Sequence, residues 1–297
     1  HDQSSAASDV YKRQLLVLGP TSSDAIEALL QGASLPDSVA PADLARQWSA
    51  WFSLGGASIR FPIRWVLGDV LADRWIELDP HTGKASLLEE MPQPEGWNSS
   101  VLSPLPTSHT VPSCGWMVQQ GAMAGKFDRA RADDLQLTSK DRAMLARGED
   151  VQAADGSTLE AAWFRGGERA AISVLLSGDT ESEPPAWVAD VSPTVLIHEA
   201  TFLNEQQDKA EEHQHSTATG AAASARAVGA SVLALTHYSN RIKSSTGPQQ
   251  EAAAEADGLP VVALNDNDRL VVDDDGGVDH LIWTKEGWTA ASIAPNR

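Results

Sequence analysis

Histidines and carboxylates carry most of the chemistry this chain could perform. Three of its eight histidines fall between residues 194 and 217, in TVLIHEATFLNEQQDKAEEHQHST. There His198 adjoins Glu199, and His215 precedes Ser216 and Thr217. Asp179 stands in SGDT and His237 in LTHYS. Imidazole nitrogen plus carboxylate oxygen, without thiolate, suits Zn²⁺, or Mn²⁺ where oxygen dominates. A carboxylate bridging two such ions forms a clamp that polarises a phosphoryl group and activates water. HEATF has no second histidine four residues on, so the zincin pattern H-E-x-x-H is absent.

The segments that must position these residues are short apolar runs. AISVLLSGDT, PTVLIHEA, SVLALTHYS and LPVVALNDND each read as a buried strand, with helices over residues 216–229 and 248–258. Strand–helix alternation implies crossover connections and a sheet with helices packed against it. Asp179, His198 with Glu199, and His237 all follow an apolar run, which puts them at the C-terminal edge of that sheet, where sites collect. Nearer the start, LLVLG reads as a strand and residues 21–32 as a helix with Thr21, Ser22 or Ser23 as N-cap. Residues 102–117 read as two strands joined through Pro112 and Ser113.

The whole chain sets bounds. Its 297 residues suffice for one large domain or two small ones, and 42% hydrophobic with 21% charged residues is a globular balance. No apolar run approaches the roughly 18–20 residues that span a bilayer. The single cysteine, Cys114, excludes a disulfide framework and a thiolate-rich zinc site, and suits a reducing cytoplasm. A net charge of −19 argues against coating nucleic acid by general electrostatics. Residues 125–148 run against it: Lys126, Arg129, Arg131, Lys140, Arg142 and Arg147 face four aspartates, a balance of +2. They are either a local basic patch or a solvated helix face. HDQSSAASDVYKRQ, residues 1–14, lacks periodicity and an initiator Met; it reads as a non-native, adapter-derived segment and is set aside.

SGDT, LIHEATF, HSTA and LTHYSNR, in this order and spacing, resemble the ribonuclease Z branch of the metallo-β-lactamase superfamily, and HTVPSCGW, GKFDRARADDLQL and LARGEDV extend the likeness. It covers about residues 15–272. The resemblance implies a mixed α/β fold, the four-layer αββα metallo-β-lactamase sandwich, with residues 273–297 as an acidic, Trp-containing extension. It implies a Zn²⁺-dependent endonuclease (two ions per intact site, Mn²⁺ as the alternative) that removes the 3′ trailer of precursor tRNA, as a cytoplasmic homodimer without a membrane. His109 would be a ligand of the first metal, Asp179 the bridging carboxylate and His237 a ligand of the second. His215 would be the proton donor and Glu199 the group that orients it. His198, Thr180, Ser216 and Thr217 would support the site from behind. Residues 125–148 would lie in the tRNA-gripping arm region, with Lys126, Arg129, Arg131 and Arg241 as RNA-binding candidates. The family's H-x-H-x-D-H motif is absent from the sequence. It would lie upstream of Leu15, with the opening strands of the sandwich, so the expectation for this chain alone is weak metal binding and little activity. Two rivals stand beside this reading: a hydrolase of the same superfamily acting on small phosphodiesters, and a degenerate binding or scaffold domain.

Other residues read as structural. His213, His81 and His280 read as surface groups, and Cys114 as a packed small residue with no basic neighbour to lower its pKa. The ten tryptophans suit core or dimer packing better than stacking on nucleic acid. Ser216 and Thr217 suit phosphate contact and N-capping equally well.

Overall fold

The computed structural model describes residues 15–54, 62–121, 125–153, 155–167, 169, 171–183, 187, 192–291 and 293. The segment 1–14 lies outside these. Two compact units result, one of residues 1–119, 173–271 and 278–297, the other of residues 120–172 and 272–277. The sequence reading had drawn one domain over 15–272, with 125–148 as an arm inside it.

The first unit holds two larger sheets. Strands β1 (Leu15–Pro20), β2 (Ile63–Asp69), β3 (Arg74–Leu78) and β4 (Ala85–Leu88) lie in that order. β1 and β2 are parallel, so the chain must cross over between them, and helices α1 (Ser23–Leu30) and α2 (Leu44–Ser53) lie in the crossover. Ala25, Ile26, Ala45 and Trp48 of these helices pack with Leu67, Ile76 and Leu78 of the sheet. Asp43 caps α2, its carboxylate accepting from the Ala45 N–H at 2.8 Å.

The second sheet has the order β12 (Val261–Ala263), β11 (Val232–Thr236), β10 (Val195–Glu199), β9 (Ile172–Leu176), β6 (Cys114–Gln120), β5 (Ser100–Pro106). β9 to β12 run mutually parallel. Helices α5 (Gln207–His213) and α6 (Ala218–Ala227) lie between β10 and β11, and α7 (Thr246–Glu255) connects β11 to β12. Ala218, Ala221, Ala222 and Ala225 repeat at helical spacing and are fully buried, so the stripe of methyl groups seats α6 closely against Leu196, Leu233 and Leu235. The inner faces of the two sheets meet across a cavity of 850 Å³ lined by Leu16, Leu18, Trp116, Val118 and Leu176. With helices outside both sheets, the layer order is αββα, the one expected from the sequence.

A small third sheet is formed by β13 (Arg269–Val272), β14 (Val278–Thr284) and β15 (Gly287–Ala291). It corrects one expectation. His280 is buried, 8% exposed, with Nε2 2.9 Å from Asp268 Oδ2. The period-two alternation of β14 turns His280 inward, although its acidic neighbours in sequence suggest a surface. In the second unit, α3 (Arg129–Asp134), α4 (Ser139–Ala146) and a β7–β8 pair (Val151–Gln152, Thr158–Leu159) enclose Ala132, Leu145, Ala161 and Phe164. Among the described residues no helix is long and apolar enough to cross a membrane.

Candidate functional site

Because β9, β10 and β11 are parallel, their C-terminal ends share one edge of the sheet, and the loops beyond them converge. The turn after β9 requires glycine: Gly178 has φ 63°, and a Cβ there would lie 2.5 Å from the Cys114 carbonyl oxygen. This turn delivers Asp179. The Ser108 N–H donates to Thr180 Oγ1 at 3.1 Å, and the Glu181 N–H donates to the Ser108 carbonyl at 2.9 Å. The loop carrying His109 is thereby stapled to the loop carrying Asp179.

Glu199 ends β10 and is buried, 1% exposed. Its Oε1 accepts from the Thr180 N–H at 2.9 Å and from His215 Nδ1–H at 2.6 Å. Its Oε2 accepts from the Thr201 N–H at 3.2 Å and the Thr201 hydroxyl at 2.5 Å. Four converging donors make the side chain acceptor-only, an ionised carboxylate. His215 is held from several sides. Its N–H donates to the Ala210 carbonyl at 2.9 Å, and Ser216 Oγ donates to the Thr180 carbonyl at 2.9 Å. A parallel bridge also joins Phe202 to Thr217. Thr217 is the N-cap of α6, accepting from the Gly220 N–H at 3.1 Å.

His237 follows β11 with φ 56°, in the left-handed region where a non-glycine residue is strained. Its Nε2 lies 3.6 Å from Asp179 Oδ1, too far for a hydrogen bond. His109 Nδ1 donates to the Gln214 carbonyl at 2.9 Å, and Gln214 itself is left-handed at φ 51°. With Nδ1–H engaged, the neutral rings of His109 and His215 each leave Nε2 as a lone pair.

Ligand atoms of His109, Asp179 and His215 lie within 4.8 Å of one another, as do those of Glu199, His215 and His237. The ring centroids of His109 and His215 are 4.7 Å apart, and those of His215 and His237 are 5.7 Å apart. Imidazole lone pairs anchored from behind by hydrogen bonds, with a carboxylate beside them, fit a divalent cation of the zinc or manganese kind.

His198 faces the other way. Its Nδ1 donates to the Glu199 carbonyl at 2.8 Å, its ring packs edge-on to Trp187 at 5.7 Å, and burial holds the imidazole pKa below its ordinary value. Its buried Nε2 has no partner among the described residues. His213 is exposed, stacked on Phe202 at 6.3 Å, and His81 is exposed. Cys114 is buried, and burial pushes its thiol up to about 12. Arg241 is exposed after the His237 loop. In the second unit Lys126 pairs with Asp275, Arg142 with Asp133 and Arg147 with Glu149, while Arg131 lies 5.6 Å over the Phe164 ring; Arg129 and Lys140 are exposed.

The sequence reading missed two groups. Thr201 links Glu199 to His237, and the signal for it was its place inside HEATF, two residues after the carboxylate. Gln214 contributes only a main-chain carbonyl, for which no side-chain signal exists.

Comparison with known proteins supports the resemblance found in the motifs. The chain is 34% identical over 158 residues to "Ribonuclease Z" of Halobacterium salinarum, 53% of this chain and 51% of that protein. It is 37% identical over 137 residues to "Ribonuclease Z" of Synechococcus sp. (strain CC9902), 46% of this chain and 43% of that protein. For the Haloferax volcanii "Ribonuclease Z" the figures are 34% over 176 residues, 58% and 55%. The chain is thus similar to these proteins along about half its length, and spans about half of theirs. No family model matches it. Among solved structures, the Bacillus subtilis metallo-beta-lactamase fold protein YhfI is similar at 14% identity and TM-score 0.40, covering 74% of this chain and 58% of that one. Human tRNase Z, short form, is similar at 21% identity and TM-score 0.29, covering 60% and 44%.

Proposed function

We propose that the whole protein, a homologue of ribonuclease Z, is a metal-dependent phosphodiester hydrolase that removes the 3′ trailer of precursor tRNA. The observation that carries this reading is the Glu199–His215 pair set beside the Nε2 of His237, His109 and the carboxylate of Asp179. Asp179, His109 and His237 would hold the metal, Zn²⁺ or Mn²⁺. A divalent ion there supplies Lewis-acid stabilisation of charge on the phosphoryl oxygens.

The chain's own residues supply the proton. As water adds to phosphorus and the P–O bond to the ribose oxygen breaks, His215, protonated at Nε2, gives that proton to the departing oxygen, while its Nδ1–H stays hydrogen-bonded to Glu199. The buried carboxylate fixes the ring and keeps its other proton on Nδ1. Arg129 and Arg241, both exposed, are available to backbone phosphates; Lys126 and Arg131 are already engaged, by Asp275 and Phe164. A cytoplasmic homodimer completes the reading.

The test is a precursor tRNA with a labelled trailer, offered to the whole protein with Zn²⁺ or Mn²⁺. Cleavage at the trailer junction is expected, with loss of about 10²–10⁴-fold in kcat on His215→Ala, the range of a general acid. Turnover of a small diester such as bis(p-nitrophenyl) phosphate with no cleavage of precursor tRNA would favour a second reading, a small-diester hydrolase. That reading draws on the internal pairing of Lys126, Arg142 and Arg147, which leaves little free positive charge in the second unit to grip tRNA.

A further inference from the structure

Thr201 sits between the two functional halves of the site. Its hydroxyl oxygen lies 2.5 Å from Glu199 Oε2, 2.9 Å from His237 Nδ1, 3.2 Å from the His237 carbonyl and 3.4 Å from His215 Nδ1. A hydroxyl has one proton to give and two lone pairs to receive with. The shortest contact is to an ionised oxygen, and a proton there makes a charge-assisted bond. Directing it elsewhere would leave two bare oxygens 2.5 Å apart. The Thr201 proton therefore goes to Glu199, and its oxygen must accept from His237.

We infer that Thr201 is a positioning residue that sets the tautomer of His237: its hydroxyl, oriented by Glu199, accepts the Nδ1–H and leaves Nε2 as a lone pair beside Asp179. Without this acceptor a neutral imidazole is free to carry its proton on Nε2, and that proton would then point at the Asp179 carboxylate. A ring in that form presents an N–H where a cation needs a lone pair. The half-exposed position of His237 makes the constraint necessary, because packing alone does not fix the ring. The role of this tautomer in metal binding rests on the function proposed above; the tautomer itself does not.

The experiment uses the full chain, ¹⁵N-labelled at histidine and free of metal, at about pH 8, above the ordinary imidazole range. Long-range ¹H–¹⁵N correlation reports which ring nitrogen carries the proton, the His237 pattern being the one lost in His237→Gln. The expected result is protonated Nδ1 and bare Nε2 in the wild type and in Thr201→Ser, with a shift toward Nε2–H in Thr201→Val. Isothermal titration with Zn²⁺ is expected to show about tenfold weaker binding for Thr201→Val and near-native binding for Thr201→Ser, the low end of the effect of removing a group behind a ligand. A wild-type ring protonated on Nε2, or an unchanged tautomer in Thr201→Val, overturns the inference. The wild-type spectrum decides even if the valine variant does not fold. A tautomer that switches in Thr201→Val with no change in Zn²⁺ affinity upholds the positioning role and counts against His237 as a ligand.

Discussion

Replacing Glu199 by glutamine changes one oxygen to an amide nitrogen and leaves the volume nearly unchanged, so its effect isolates the hydrogen bonds. The carboxylate receives four donors: the Thr180 N–H and His215 Nδ1–H on one oxygen, the Thr201 N–H and hydroxyl on the other. Glutamine can keep only one of these pairs on its carbonyl. The cheaper orientation keeps Thr180 and His215, since the Thr201 hydroxyl can turn its proton toward the His237 carbonyl, 3.2 Å away, and accept from the new amide. The Thr201 N–H is then left facing a donor, which costs about 1–3 kcal/mol. The two retained bonds lose their charge assistance, roughly half their strength, or about 1 kcal/mol together. The summed loss is about 2–4 kcal/mol. With a urea slope of about 2 kcal/mol/M, the midpoint falls by about 1–2 M. Equilibrium urea unfolding followed by tryptophan fluorescence and far-ultraviolet dichroism measures it. An equal or higher midpoint for Glu199→Gln would refute the reasoning, because desolvation of the buried charge would then outweigh the bonds it receives.

Three further outcomes follow from groups elsewhere in the fold. Burial lowers the folded-state pKa of His198, so the unfolded chain takes up the proton first. Its contribution to stability is therefore complete above the ordinary value near 6.5 and is lost as pH falls below it; His198→Asn should flatten the melting temperature against pH between about 7.5 and 5. Cys114, its thiol pushed up to about 12 by burial, should resist iodoacetamide in the native chain at about pH 8 and react in urea; fast native labelling would contradict its packing. His280→Ala removes the partner of the Asp268 carboxylate, which His280 and the Asn265 amide hold below the usual range against the opposing effect of burial. Asp268 keeps its bonds from Asn265, so the loss is that of one hydrogen bond to a carboxylate, about 1.5–3 kcal/mol, and should appear as faster amide exchange across β13–β15.

Much of the site region was legible because the sequence is simple there. Each of the three parallel strands β9, β10 and β11 is an apolar run with its ionisable residue at or just beyond the C-terminal end, and parallel packing turns that pattern into convergence. The helix read over residues 216–229 is present as α6, Ala218–Ala227. What failed was the use of local charge as a guide to exposure: His280 lies among aspartates in sequence, yet its strand parity and a partner twelve residues away, Asp268, decide its burial. The β1–β2 pairing was not legible either, since Leu15 and Ile63 meet only through a long crossover and nothing local marks the partner.

Hydrogen bonds link the residues that the motifs divide into an acid/base pair and metal ligands. His215, Glu199, Thr201 and His237 form one chain: imidazole N–H to carboxylate, hydroxyl to carboxylate, imidazole N–H to hydroxyl. In their neutral forms both imidazoles point a bare Nε2 toward the open side, because both Nδ1 protons are held on the buried side. One carboxylate, directly for His215 and through a hydroxyl for His237, thus determines which nitrogen each ring presents. The buried charge at the end of β10 serves the proposed proton donor and the proposed ligand at once, and a change at Glu199 acts on both. The effects of substitutions at these four positions therefore cannot be summed as independent terms.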